Sequence, residues 1–135
     1  TPSPFHSGET EVQTRMGVRE AIEPFARRVV RDHLPEQHRA FYAQLPFLVV
    51  AGRDGAARPW ATVLAAPSGV ADSPDPHSLD LHALPLPGDA LAESFAPGAD
   101  LGILGIEFHT RRRNRVNGRI VNRDSRGARL RVDQS

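Results

Sequence analysis

The 135 residues, of which 39% are hydrophobic, are enough for one compact domain with an apolar core and too few for two. A formal net charge of +1 argues against general affinity for nucleic acid, and the lack of cysteine excludes disulfides, thiolate metal sites and a cysteine nucleophile. The sequence shows no apolar run that could span a bilayer and no signal segment at its start, so a cytoplasmic protein is expected.

Residues 1–46 are predicted to form an N-terminal helical arm. The apolar side chains of its middle part recur near helical spacing, at Ile22, Phe25, Val29 and Val30. Pro24 and Pro35 are expected in the first turns of helices, where the missing amide proton of proline removes no hydrogen bond. From residue 47 the pattern changes to strands, so residues 47–135 are predicted to form a β-rich domain.

The most secure structural prediction is a β-hairpin at the start of this domain. "FLVVAGR" at 47–53 is an apolar run, Asp54-Gly55 is a hairpin turn signal, and "RPWATVLAA" at 58–66 is rich in strand-forming residues. A proline- and serine-rich loop is expected over 67–78. The alternation in "LDLHAL" at 79–84 then predicts a half-buried strand.

The second half of the domain is predicted to contain a short helix and further strands. "DALAESF" at 89–95 is expected to be helical with Asp89 as its N-cap, and "DLGILGIEFHT" at 100–110 is expected to be a strand. Another strand follows from residue 111. The order of elements favours a mainly β fold with short helices, a small antiparallel barrel rather than a doubly wound sheet.

Residues 111–120, "RRRNRVNGRI", carry the strongest functional signal. Residues 107–135 hold 9 of the 17 basic residues against 3 of the 16 acidic ones, so the positive charge is concentrated at this end. Strand alternation places Arg113 and Arg115 on one face and Arg112 and Asn114 on the other. Two interpretations stay open: a site for an anion, or a strand at the edge of the sheet whose charges prevent aggregation.

Three segments together resemble a known family. The hairpin "FLVVAGRDGAARPWATVLAAP", the strands "LGILGIEFHTRRRNRVNGRI" and the short helix between them resemble the pyridoxamine 5'-phosphate oxidase-related family of FMN-binding split barrels. "FHSGE", "HRAFYAQLPFLVV" and "RRRNRVNGR" are similar to a bacterial subgroup of flavin-nucleotide-binding proteins. The resemblance covers nearly the whole chain and implies a split β-barrel, FMN as cofactor, and a homodimer whose flavin sites lie between two barrels.

The resemblance also implies which residues contact the flavin. In the family the second strand runs along the edge of the isoalloxazine ring with its backbone groups, and the strand that matches "RRRNRVNG" borders the cofactor. The implied cofactor-binding residues are Trp60, Ala61, Thr62, Val63, Leu64, Arg112, Arg113, Asn114 and Arg115. Arg113 is expected to reach the flavin or its phosphate. Thr62 stands where many members have an arginine, and Asp89 stands near a position where many have a cation.

The expected function is that of an FMN-dependent oxidoreductase, in which no side chain need act as a catalytic acid. A non-catalytic flavin-binding or regulatory module, or a part of a larger flavoprotein, is the alternative. Flavin and a small-molecule substrate or electron donor are the expected partners, without nucleic acid or membrane. Nucleic-acid binding is disfavoured because no aromatic residues alternate with the arginines. The six histidines lack the spacing of a metal site, so no metal is expected.

Overall fold

The computed structural model describes residues 2–135, which divide into two compact units. The first unit ends at Arg31 and contains helices α1 (Ser7–Arg15) and α2 (Arg19–Val29). Its first helix begins with a capping box, because His6 Nδ1 accepts hydrogen bonds from the backbone of Gly8 and Glu9 while the Glu9 carboxylate accepts one from the His6 amide. The expected short helices of the N-terminal segment are therefore present.

The position predicted for Pro24 was wrong. Helix α2 already begins at Arg19, so Pro24 lies in the second turn of the helix rather than in the first. The residues before it, "REAI", are compatible with helix and extend the helix toward the N-terminus. Pro35 is the N-cap of α3 (Glu36–Ala43) and thus directly precedes the first turn of that helix.

The second unit, Asp32–Ser135, contains α3 and one antiparallel sheet of seven strands. The strands follow one another in the chain as β1 (Phe47–Arg53), β2 (Pro59–Ala65), β3 (Ala71–Asp75), β4 (Ser78–Leu81), β5 (Asp100–Glu107), β6 (Arg112–Arg123) and β7 (Ala128–Gln134). Their order in the sheet is β2-β1-β5-β6-β7-β4-β3. The sheet is open, with β2 and β3 at its two edges. The prediction of a mainly antiparallel β fold with short helices is confirmed, and the open sheet is consistent with a split barrel.

Two local predictions in this unit need correction. The expected loop 67–78 contains β3, and its Pro74 is compatible with a strand because β3 lies at an edge of the sheet, where a missing amide donor is tolerated. The expected helix 89–95 is a series of turns. A single helical hydrogen bond, from the amide of Phe95 to the carbonyl of Leu91, forms there, because the segment between Gly88 and Pro97 is too short to propagate a helix.

The core lies on one face of the sheet. Leu48, Val50, Ile103 and Val116 from β1, β5 and β6 are fully buried there, and α3 adds Phe41 and Tyr42. The opposite face of the same strands, called the outer face below, carries residues of intermediate or high exposure. Over residues 2–135 no helix has both the length and the apolar character needed to cross a membrane.

Gly105 on β5 is where the sheet approaches α3 most closely. A Cβ atom at this position would lie 2.7 Å from Leu45 Cδ1, 3.0 Å from Tyr42 Cε1 and 3.1 Å from Phe41 Cε1. Because these side chains are buried, they have little room to move away. The absence of a side chain at residue 105 therefore sets how deeply α3 packs on the sheet.

We expect Gly105→Ala to lower the free energy of unfolding by roughly 1–3 kcal/mol, the usual cost of overpacking. Urea unfolding of the two proteins measures the difference. Gly55→Ala is the matched control, because a Cβ at Gly55 would meet nothing within 4 Å. A loss of stability in Gly55→Ala equal to that in Gly105→Ala would show that packing against α3 is not the cause.

Candidate ligand-binding site

The outer face of β2, β1, β5 and β6 carries two neighbouring rows of side chains. The first row runs across the four strands through Val63, Val49, Leu104 and Arg115, which are paired in register. The second row runs through Ala61, Ala51, Gly102 and Asn117. The second row is flat because its first three members have at most a methyl side chain. We call these two rows the outer-face floor.

The floor is apolar at the β2 end and cationic at the β6 end. Val63 is 58% exposed, which is unusual for a valine in a strand, whereas Arg115 and Arg113 project from β6 on the same face. Three strand spacings of about 4.8 Å separate β2 from β6, so the two ends lie roughly 14 Å apart. A ligand that touches both ends of one floor must therefore be extended.

Strand β2 has unpaired backbone groups along one side, because it is an edge strand that pairs with β1 alone. Alternate residues of such a strand direct their N–H and C=O groups away from the sheet. Because no strand pairs with this side of β2, the backbone groups of residues 60–64 there are available to contact a ligand, as the resemblance implies. The Thr62 hydroxyl, in contrast, is engaged, because it donates to Asp89 Oδ2.

Trp60 is held beside the β1–β2 turn. Its indole Nε1 donates to Asp54 Oδ2 at 2.9 Å, and the same carboxylate accepts hydrogen bonds from the backbone of Ala56 and Arg58. These hydrogen bonds, first among them that from Arg58, lower the pKa of Asp54, so the carboxylate stays charged. Trp60 is 47% exposed and is therefore not a core residue, which leaves its ring accessible from the solvent.

The predicted residues of β6 do not form one cluster, because they lie on both faces of the sheet. Arg113 and Arg115 project from the outer face, as the alternation predicted. Arg112 and Asn114 lie toward α3, where the Arg112 guanidinium sits 4.8 Å from the centre of the Phe41 ring. Asn114 accepts hydrogen bonds from the Tyr42 hydroxyl at both its backbone carbonyl and its side-chain oxygen.

A pocket of about 300 Å³ lies between α3 and the β5–β6 turn. It is lined by Gln37, His38, Phe41, Arg111, Arg112, Arg113 and Asn114. We call it the α3 pocket. The sequence did not indicate the three residues from α3, because no short motif connects them with β6. Arg111 belonged to the arginine run that the sequence singled out, but not to the residues implied to contact the flavin.

The four arginines of the 111–115 segment have no carboxylate partner. Within residues 2–135, Arg111, Arg112, Arg113 and Arg115 form no ion pair, whereas seven other arginines do, namely Arg19, Arg27, Arg39, Arg53, Arg58, Arg119 and Arg129. The nearest acidic residue in the strand register, Glu107, instead accepts hydrogen bonds from Gln44 and Thr110. The result is a local excess of positive charge at one end of the sheet.

The opposite end of the outer face carries a small ion-pair network. Asp100 on β5 binds Arg53 on β1 through one carboxylate oxygen and Arg119 on β6 through the other, each at 3.1 Å. These three residues are also exposed, and both arginines there have a carboxylate partner. The arginines of the Arg113–Arg115 end differ in having none.

Other polar groups form a second pocket, of about 580 Å³, near the β6–β7 turn. Asp80 there binds Arg129 through both carboxylate oxygens, and His82 contacts Asp72. Arg129 is thus paired with a carboxylate, unlike the arginines beside α3. No group of three or more histidine and acidic side chains suited to a metal ion occurs in the described part of the chain.

Comparison with known proteins leaves the family unassigned, since neither a protein-family model nor a curated protein matches the chain. Flavin binding, the family and the roles of residues 60–64 and 112–115 thus stay predictions that rest on sequence resemblance and on the geometry above.

Proposed function

We propose that this protein is an FMN-binding flavoprotein of the split-barrel type and that it acts as an oxidoreductase. The observation that carries the proposal is the group of partner-free arginines at one end of an exposed, flat apolar face. A planar aromatic ring matches such a floor, and a phosphate matches uncompensated guanidinium groups, which bind it with paired, charge-assisted hydrogen bonds. FMN combines both features in one molecule.

In this proposal the ring lies on the outer-face floor and the phosphate lies toward Arg113 and Arg115. The free backbone edge of β2 supplies donors and acceptors for the polar edge of a flavin ring. Donors at this edge would stabilise the negative charge of the reduced flavin. The bound flavin would supply the hydride or electron transfer, and the chain would bind the flavin and orient it.

The non-catalytic flavin-binding or regulatory module is the alternative, since the same geometry would serve either role. Steady-state oxidation of NADH or NADPH by the FMN-loaded protein, with an added electron acceptor, separates the two. Absorbance of the purified protein near roughly 450 nm, a property of oxidised flavin, is the first measurement to make. A colourless protein that does not take up added FMN would contradict the proposal.

We expect Arg113→Ala to weaken FMN binding much more than riboflavin binding, because the two ligands differ in the phosphate. One charge-assisted contact is worth about 1.5–3 kcal/mol, or roughly ten- to a hundred-fold in affinity. Quenching of Trp60, the one tryptophan in the chain, provides the titration signal.

Arg123→Ala is the matched control for Arg113→Ala. Arg123 lies on the same strand, is exposed and forms no ion pair within residues 2–135, so its removal changes the net charge equally. Arg129 is a poorer control because it binds Asp80. An equal change of the FMN-to-riboflavin ratio in both variants would mean that long-range charge, rather than a contact, determines affinity.

Gly102 tests the ring-binding floor without disturbing the fold. A Cβ there would approach only Asn117 Oδ1, at 3.4 Å, and valine favours strands. We expect the series Gly102→Ala and Gly102→Val to retain the unfolding temperature while FMN and riboflavin affinities fall together with side-chain size, at least roughly tenfold for valine. Unchanged affinity in Gly102→Val at full stability would place the ring elsewhere.

We also propose a homodimer that covers the outer face. Val63 and Phe108 are 58% and 74% exposed, and a two-fold interface would remove such apolar side chains from water on both protomers. Light scattering at micromolar concentration is expected to give twice the mass of the chain, and Val63→Glu is expected to give the monomer. A monomeric parent protein would rule out the dimer.

A further inference from the structure

Arg111 has a backbone conformation that arginine rarely adopts. Its φ angle is +58°, in the left-handed region, at the last position of the turn between β5 and β6. Glycine or asparagine would occupy such a position at lower conformational cost. Strained non-glycine residues cluster at binding sites, and Arg111 lines a cavity, so its side chain is a candidate ligand group.

Arg112 is held in place by the core. Its guanidinium lies 4.8 Å from the centre of the Phe41 ring, and Phe41 is only 3% exposed and so has little freedom. A guanidinium over an aromatic face is attracted by the ring and keeps its N–H groups available for other acceptors. Arg112 thus has a defined neighbour without a carboxylate partner.

Neutral groups of the α3 pocket are also fixed in orientation. Since Asn114 Oδ1 accepts from the Tyr42 hydroxyl, its Nδ2 is the donor toward His38 Nδ1, 3.2 Å away. The contacts from Tyr42 through Asn114 thus hold His38 at the wall of the pocket, and none of these three side chains adds a carboxylate.

From these groups we propose that the α3 pocket is a second anion site, separate from the flavin on the outer face, and that it binds the dianionic phosphate group of a small molecule. The pocket, of about 300 Å³, lies at the lower limit of ligand pockets and suits a phosphate with a small substituent. Arg111 and Arg112 supply the charge, because no carboxylate in the described residues neutralises them.

Protection of a sheet edge explains these arginines less well. Arg112–Val116 pair with β5 alone, because β7 ends opposite Asn117, so this half of β6 is indeed locally an edge. However, the Tyr42 hydroxyl already binds the Asn114 carbonyl on that side, which blocks strand addition. A protective charge also does not require a left-handed backbone at Arg111.

The test uses Arg111→Gly, which separates binding from folding. Glycine adopts the left-handed conformation freely, so the unfolding temperature is expected to stay constant or rise. Calorimetric titration at constant ionic strength, with inorganic phosphate and with glycerol 3-phosphate as probes, is expected to show saturable binding to the parent protein. We expect binding roughly ten- to a hundred-fold weaker in Arg111→Gly.

Ala57→Gly is the matched control, because Ala57 has a φ angle of +61° in the β1–β2 turn, and the same substitution there relieves the same strain far from the pocket along the chain. Its phosphate affinity is expected to equal that of the parent protein. Comparison of the two phosphate probes distinguishes free phosphate from a phosphate ester. Non-saturable binding to the parent protein, or an unchanged affinity in Arg111→Gly, would overturn the proposal.

The two proposals can fail independently. If Arg111→Gly lowers the FMN-to-riboflavin affinity ratio as much as Arg113→Ala does, the α3 pocket holds the phosphate of FMN itself, and the separate site is overturned while flavin binding stands. If the protein binds neither flavin but binds phosphate with the expected dependence on Arg111, the proposed function fails and the anion site stands.

Discussion

The hydrogen bonds from the Tyr42 hydroxyl to Asn114 hold together the part of the molecule that carries the candidate sites. Beyond the end of β7, residues 112–116 of β6 have a neighbouring strand on one side only. The buried Tyr42 donates there to both the backbone and the side-chain oxygen of Asn114, at 2.9 Å in each case. Burial raises the pKa of Tyr42, so the phenol remains protonated and able to donate. Without a hydrogen-bond donor, these two oxygen atoms of Asn114 would lower the stability of the fold, because they lie in apolar surroundings.

This contact depends on a close approach of α3 to β5, and the approach depends on the missing side chain of Gly105. The depth of α3 in turn fixes where Phe41 lies, and thus where Arg112 can stack. The two faces of β6 are therefore different environments: Arg112 and Asn114 are ordered by the helix, whereas Arg113 and Arg115 project from an uncovered sheet. For this reason the arginines of one short segment lie on two separate surfaces.

The sequence predicted the parts of this arrangement that depend on local pattern. The hairpin around Asp54-Gly55, a strand from Asp100 and the alternation of Arg113 with Asn114 follow from periodicity and turn chemistry, which act over a few residues. The strand was predicted to reach residue 110 but ends at Glu107. Strand β3 was missed because composition suggested a loop, and its pairing with β4 provides the stabilisation that local propensity lacks. The turns at 89–95 were taken for a helix because capping residues favour one without guaranteeing its length.

The site was predictable only in part. The resemblance suggested residues 60–64 and 112–115, but it could not show that two strands, β1 and β5, separate the two groups in the sheet. The contribution of α3 was not visible either, since His38 and Arg112 are far apart in the chain and come together only through packing. The binding of Thr62 to Asp89 was also unforeseen, because it depends on how the segment 85–99 folds back on β2.

The concentration of uncompensated charge also has a thermodynamic consequence. Four arginines within five residues repel one another, and the exposed position of all four limits the cost, because water and salt screen charges at the surface. Within residues 2–135 no ion pair offsets this repulsion, although the chain pairs arginine with carboxylate at many other places. An anion that binds only the folded protein would relieve this repulsion and shift the folding equilibrium by mass action. The charge run is therefore best understood as a local loss of stability that the binding of an anion, as proposed above, would recover.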